Sequence, residues 1–95
     1  MFITLQSIRI LPGTHSVLLD WFSLASHCLQ RHSAVISVRL LAPLDGSEEY
    51  VLQIIWRNIE GSSEALNDPE FVESLVRIPP ICVDKQLPRT YQMLT

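Results

Sequence analysis

The chain has 95 residues, of which 47% are hydrophobic and 18% charged, and its formal net charge is -3. This length predicts one domain over residues 1–95, and the apolar excess predicts surface that is buried against a partner or a ligand. The seven Lys and Arg residues are scattered along an acidic chain, which argues against binding to a nucleic-acid backbone. We therefore expect a homo-oligomer with no nucleic-acid partner.

The cysteines and the apolar runs indicate the compartment. Cys28 and Cys82 form no CxxC motif and predict two buried thiols in a reducing compartment rather than a disulfide. No apolar run approaches the roughly 20 residues that span a bilayer, and the first residues lack the basic region of a signal peptide. We expect a cytoplasmic protein that does not enter a membrane.

The first half of the chain predicts a strand followed by a helix. Apolar and polar residues alternate over residues 2–10, and "LPGTH" ends this strand. From about His15 to Arg31 the apolar residues recur at helical spacing. Leu19 and Phe22 lie outside the narrow apolar stripe of this helix, so we expect them to line a pocket or a subunit contact.

A hairpin follows. The segments "SAVISVRLLA" and "YVLQIIWRN" both alternate, and the turn-forming "PLDGSEE" lies between them, which predicts two antiparallel strands. Tyr50 and Trp56 share one face of the second of these strands. Gln53 and Arg57 lie on its opposite face.

The last third predicts a turn, a helix and a final strand. A short turn is expected over residues 63–66, and then a helix that Asp68 caps, Pro69 opens and Arg77 ends. The tail "KQLPRTYQML" alternates, and its Pro88 favours an edge strand or a bulged one.

The resulting order, β-α-β-β-α-β, predicts an α+β ferredoxin-like fold, a four-stranded antiparallel sheet with two helices on one face. Its other face is too apolar to be fully solvated, since it carries Val35, Leu41, Val51 and Ile55 among polar residues. Two such sheets packed face to face would bury it.

Several kinds of chemistry are disfavoured. The histidines at 15, 27 and 32 form no pair on one helical face, so no metal site is predicted. Three isolated glycines provide no phosphate-binding loop. Ser62 and Ser63, in "EGSSE", suit a helix N-cap better than a nucleophile elbow. The sequence thus identifies no catalytic residue and no cofactor site.

The remaining signal is an apolar cleft between sheet and helices, in which aromatic walls and a few polar groups would orient an aromatic ligand. The candidate ligand contacts are Trp56, Tyr50, Gln53, Arg39, Arg57, Tyr91, Phe22 and Trp21. Because strand parity puts Gln53 and Arg57 opposite Trp56, those two serve either the ligand or a dimer interface.

The pattern as a whole resembles the antibiotic biosynthesis monooxygenase family over nearly the entire chain. The most specific parts are "LLAPLDGSEEYVLQIIW" and "EALNDPEF". The resemblance implies a homodimeric α+β barrel in which the two sheets pack together, with a cleft in each subunit. Members include cofactor-free oxygenases of phenolic or anthrone-like polyketides, haem-degrading relatives and proteins with no established catalysis.

The resemblance also assigns individual positions. Trp56 stands at the strand-ending Trp of the family and would wall the cleft. Ala65 stands where many members carry a His, and the first strand lacks the Asn of the haem-degrading relatives, which disfavours haem degradation.

The function implied is a cofactor-independent, monooxygenase-like tailoring protein of antibiotic, polyketide or pigment biosynthesis that acts on an aromatic or polycyclic intermediate. Two alternatives stay open. One is a non-catalytic ancillary protein that binds an intermediate or a biosynthetic partner enzyme, and the other is a non-oxidative cyclase or isomerase.

Overall fold

The computed structural model describes residues 1–76 and 81–95, and this part of the chain forms five strands and three helices. They are β1 (Phe2–Ile10), α1 (His15–Gln30), β2 (Val35–Leu41), β3 (Glu49–Trp56), α2 (Ile59–Leu66), α3 (Pro69–Val76), β4 (Cys82–Lys85) and β5 (Arg89–Gln92). The sheet order is β2-β3-β1, with β4 and β5 both paired to the far edge of β1, and every pairing is antiparallel. The α+β, ferredoxin-like fold predicted from the sequence is confirmed.

The segment before the second predicted helix differs from the prediction. Instead of a short turn over residues 63–66, a complete helix, α2, begins at Ile59. Its N-cap is Asn58, whose extended backbone lets its side-chain oxygen accept the Gly61 N–H at 2.7 Å. Ser62 is therefore not a cap: it lies inside α2 and donates its hydroxyl to the Ile59 carbonyl.

The start of α3 agrees with the prediction. Asp68 precedes it, its carboxylate accepts the Glu70 N–H at 2.9 Å, and its carbonyl accepts the Val72 N–H. Pro69 is the first helical residue, where its missing N–H is not needed. The predicted end at Arg77 lies outside the described residues.

The C-terminal tail lies on the edge of the sheet, as predicted, but in two pieces. β4 pairs with the end of β1 across a bulge at Arg9/Ile10, and β5 pairs with Phe2 to Leu5. Pro88 lies between the pieces and has no N–H with which to continue the ladder.

The sheet has two unlike faces. The inner face, which packs on the helices, carries Thr4 and Ile8 of β1 and Leu52, Ile54 and Trp56 of β3. The outer face carries Leu5 of β1, Arg39 and Leu41 of β2 and Val51, Gln53 and Ile55 of β3. Trp21, Ala25 and Leu29 of α1 are buried in the core above the inner face.

One outer-face prediction is wrong. A bulge in β2 between Val35 and Ser37 shifts the alternation, and Val35 packs against the core. Both cysteines are free, and Cys28 is buried, as expected, whereas Cys82 is only partly buried. Within the described ranges, the helices are too short or too polar to cross a membrane.

Candidate functional site

An apolar cavity of about 250 Å³ lies between the inner face of the sheet and helices α2 and α3. Most of its lining is aliphatic or aromatic, and the lining residues are Thr4, Gln6, Leu52, Ile54, Leu66, Phe71, Leu75, Gln86, Leu87 and Pro88. β1 and β3 contribute every second residue because alternate side chains of a strand point to the same face. The segment between β4 and β5 forms one side of the cavity.

Two polar side chains of β1, Thr4 and Gln6, lie on one wall of the cavity. Thr4 is 3% exposed, and its hydroxyl oxygen accepts the indole N–H of Trp56 at 2.8 Å. The same oxygen lies 2.8 Å from the hydroxyl oxygen of Thr90 on β5. Gln6 donates its side-chain N–H to the Gln86 carbonyl at 3.1 Å. The cavity thus combines an apolar body with hydrogen-bonding groups at one side.

Among the described lining residues there is no ionisable side chain. Ala65, at the position of the histidine that the resemblance leads one to look for, is completely buried in α2. The described lining residues can therefore orient a ligand and donate hydrogen bonds, but none of them carries a carboxylate, an imidazole or an amine that could act as a general acid or base.

Four of the sequence-predicted contacts lie on the helix side of the sheet without lining this cavity. Trp56 is 0% exposed and reaches the cavity wall through Thr4. The Tyr50 hydroxyl lies 2.7 Å from His15 Nδ1, and Trp21 donates its indole N–H to the Ser74 carbonyl at 2.8 Å. Phe22 packs, half-buried, against the core.

The other four lie elsewhere. Gln53 and Arg39 are paired on the outer face, which confirms the parity expected for Gln53 relative to Trp56. Tyr91 shares that face through its pairing with Ile3, and Arg57 follows β3 and donates to the Ser33 carbonyl at 3.2 Å. The sheet separates Gln53, Arg39 and Tyr91 from the first set, so one cavity of this chain cannot be built from all eight, and ligand binding by any of them stays a prediction.

Sequence reasoning named none of the residues that line this cavity as a ligand contact, whether in β1, β3, α2, α3 or the segment before β5. Thr4 and Gln6 carried a usable signal, because they share parity with the apolar residues Ile8 and Ile10 in β1. A polar side chain at such an inward position needs a partner inside the fold. Leu66 and Leu75 gave no comparable signal, since helical leucines are ordinary core residues.

Helix α3, which supplies Phe71 and Leu75 to the cavity, is joined to the residues that follow α1 by a hydrogen bond and an ion pair. His32 Nε2 lies 2.7 Å from an Asp68 carboxylate oxygen, and the Arg31 guanidinium pairs with Glu70. The Glu70 N–H and then His32 hold the pKa of Asp68 below its usual value. The wall formed by α3 is therefore held at its N-terminal end by polar side-chain contacts as well as by packing.

Comparison with known proteins gives a clear result for structure. No family model matches the chain, and no curated protein matches its sequence. A protein of Nitrosomonas europaea described as an antibiotic biosynthesis monooxygenase superposes with a TM-score of 0.86 at 9% identity, over 100% of both chains. One of the same description from Deinococcus radiodurans gives 0.85 at 11% identity, over 98% of this chain and 92% of the other.

A third similar structure is SnoaB, a cofactor-independent oxygenase from Streptomyces nogalater. It gives a TM-score of 0.86 at 14% identity, over 99% of this chain and 93% of SnoaB. At these identities the likeness is one of fold, and it extends over essentially the whole chain. This protein has the ferredoxin-like fold of the antibiotic biosynthesis monooxygenase structures, and the resemblance stated from its sequence is confirmed at that level.

Proposed function

We propose that this chain is a cofactor-independent, oxygenase-like tailoring protein of antibiotic, polyketide or pigment biosynthesis that binds an aromatic intermediate. The observation that carries the proposal is the apolar cavity between the sheet and helices α2 and α3, with Thr4 and Gln6 on one wall. Small-molecule sites typically combine such an apolar lining with a few placed polar groups. The shared fold with SnoaB, which is a cofactor-independent oxygenase, supports the same reading.

The size of the cavity limits the ligand. Pockets for drug-sized molecules typically enclose roughly 300–1,000 Å³, and this one encloses about 250 Å³. Two fused rings therefore suit the enclosed volume. Leu87, one of the lining residues, is mostly exposed, so a third ring can extend past it toward solvent.

The proposed reaction is the oxidation of an anthrone-like ring methylene to a ketone. One oxygen atom of O₂ enters the ring as the carbonyl and the other leaves as water, so the substrate itself supplies the electrons. The protein's share is to orient the ring, exclude water and stabilise negative charge as it develops on the ring oxygen.

The test is oxygen uptake by metal-free, flavin-free protein with anthrone, with tryptophan fluorescence followed in the same sample. We expect quenching and uptake above the rate without protein. Leu75→Phe, which fills the cavity, should lose both signals, whereas Leu44→Phe, in a fully exposed turn, should keep both. Absence of both signals in the unmodified protein would contradict the proposal.

A second candidate is an ancillary protein that binds an intermediate without converting it. It is favoured by the absence of ionisable side chains among the described cavity residues and by the buried Ala65. Quenching without uptake, together with unchanged anthrone by mass spectrometry, would support this candidate over the oxygenase.

We further propose that the working form is a cytoplasmic homodimer whose outer faces pack together. Leu5, Val51 and Ile55 are half-buried there, beside an exposed Leu41. The hydroxyl of Ser37, on the same face, is buried without a hydrogen-bond partner among the described residues. The free cysteines agree with a reducing compartment.

A further inference from the structure

We infer that the Thr4 hydroxyl is the donor that binds a ring oxygen of the ligand, so that the cavity selects aromatic ketones and their enolates over hydrocarbons of the same shape. This inference rests on the proposed function, because it assigns the polar contact and the ligand class within the same cavity.

The Trp56–Thr4 contact fixes one hydrogen bond of the Thr4 hydroxyl. An indole N–H can only donate, so at the 2.8 Å contact the Thr4 oxygen must be the acceptor. One lone pair of Thr4 is thereby occupied from inside the core. Because Trp56 is completely buried in the paired strand, this hydrogen bond has a fixed direction.

Thr90 is the second hydrogen-bond partner of the Thr4 hydroxyl. The two threonine oxygens are 2.8 Å apart, and either hydroxyl can be the donor. When Thr90 donates, both lone pairs of the Thr4 oxygen are occupied and its own proton has no partner in this network. Thr90 is exposed, so water can satisfy its oxygen in this arrangement.

When Thr90 is the donor, the hydroxyl proton of Thr4 is free for a ligand. Thr4 lines the cavity, so this proton can be directed at a ligand oxygen. A hydroxyl that accepts two hydrogen bonds is polarised into a stronger donor. With no lone pair left it offers nothing to a donor group, so the preferred partner is a carbonyl oxygen or, more strongly, an enolate oxygen.

Gln6 is the rival donor on the same wall. One of its two side-chain N–H groups is used on the Gln86 carbonyl, in an exposed contact, and the second remains available. Thr4 differs in being 3% exposed and held in place by the Trp56 N–H. The buried, fixed hydroxyl favours Thr4 as the group that recognises the ring oxygen, with Trp56 and Thr90 as positioning residues.

The experiment compares two probes with the same two-ring skeleton, α-tetralone and tetralin, which differ in one carbonyl oxygen. Affinities are measured by calorimetry on the intact chain. We expect the unmodified protein to prefer α-tetralone, and Thr4→Val to weaken its binding about 3- to 10-fold, as the net value of one hydrogen bond implies. Tetralin affinity should stay within about twofold, and Thr4→Ser should restore the preference for the ketone.

An infrared measurement keeps the test decisive if Thr4→Val fails to fold. The carbonyl band of α-tetralone bound to the unmodified protein should lie below its position in an alkane solvent, and should stay there both in Thr4→Ser and in Gln6→Met, which removes the rival donor. An unshifted band would overturn the inference, as would loss of the ketone preference in Gln6→Met but not in Thr4→Val.

The outcomes distinguish failure of the role assigned to Thr4 from failure of the proposed function. Equal affinity for both probes would overturn the role of Thr4 while leaving an aromatic-binding cavity in place. Binding of neither probe would overturn the proposed function, and the inference with it.

Discussion

The indole N–H of Trp56 donates to the hydroxyl of Thr4 at 2.8 Å, across the antiparallel pair β3 and β1. The two residues are diagonal neighbours, because Trp56 is directly opposite Phe2 and Thr4 is opposite Ile54. This contact joins the largest buried side chain of the sheet to the polar wall of the cavity. Loss of this hydrogen bond should therefore affect both the stability of the core and the hydrogen bonding of Thr4 at the cavity wall.

Replacing Trp56 should therefore affect stability and binding together. Trp56→Phe removes the N–H and leaves a void, and we expect it to lower the free energy of unfolding by about 1–3 kcal/mol in urea denaturation. It should also reduce the preference for α-tetralone over tetralin, since Thr4 loses a hydrogen bond that polarises it.

Trp21→Phe is the matched control for that variant. It also removes a buried indole N–H, in this case the donor to the Ser74 carbonyl. It should destabilise the protein similarly but keep the ketone preference. Equal loss of the preference in both variants would contradict a specific coupling through Thr4.

A charge on the outer face should break the proposed dimer. Ile55 is half-buried there, opposite Ile3 and Ser37. We expect sedimentation at micromolar concentration to show a dimer for the unmodified chain and a monomer for Ile55→Glu, since an unpaired charge is costly to bury. Leu44→Glu, in the exposed turn, should remain dimeric. A monomeric unmodified chain would contradict the proposal directly.

The hydrogen bonds to Asp68 at the start of α3 predict a pH dependence in acid. The pKa of Asp68 is lowered from 3.8 in the folded protein, first by the Glu70 N–H and then by His32. A carboxylate with a depressed pKa stabilises the fold above its unfolded value, and this stabilisation is lost as the pH falls through the folded value. Asp68→Asn retains a capping side chain but should flatten the fall of stability with pH below about 5.

The measurement is urea unfolding at a series of pH values, with Asp20→Asn on the exposed side of α1 as the charge control. A curve for Asp68→Asn parallel to that of the unmodified protein would show that Asp68 does not contribute to the acid transition.

Gly61 marks a close approach between α2 and the start of β2. A Cβ at this position would overlap the Ala34 Cβ and lie 2.8 Å from the capping oxygen of Asn58. We expect Gly61→Ala to cost about 1–3 kcal/mol of unfolding free energy. Adding Ala34→Gly should recover part of that loss. Additive losses in the double variant would indicate that the overlap is not the cause.

The sequence predicts the elements with strong periodicity and misses one that lacks it. β1 and α1 alternate or repeat clearly, and their observed bounds match to within a residue. α2 was missed because "IEGSSEAL" contains a glycine and two serines, which are poor helix formers. Its helix depends on the Asn58 cap and on burial of Ala65, which are features of the folded chain.

The candidate site was less predictable, and the reason is long-range pairing. Thr4 and Thr90 are 86 positions apart and meet only because β5 pairs with β1 in one register. A single sequence does not fix that register. The aromatic residues were predicted to be ligand walls; in the structure Trp56 and Trp21 are buried and hydrogen-bonded, and ligand contact by them stays a prediction.

The division of the C-terminal tail into β4 and β5 has a consequence for how this protein behaves among its own copies. A long, regular edge strand exposes a continuous row of unpaired backbone groups to which another chain can add. Here that edge consists of two four-residue strands with Pro88 between them. An incoming strand would lose its ladder at the proline, so this side of the sheet is a poor template for fibril growth.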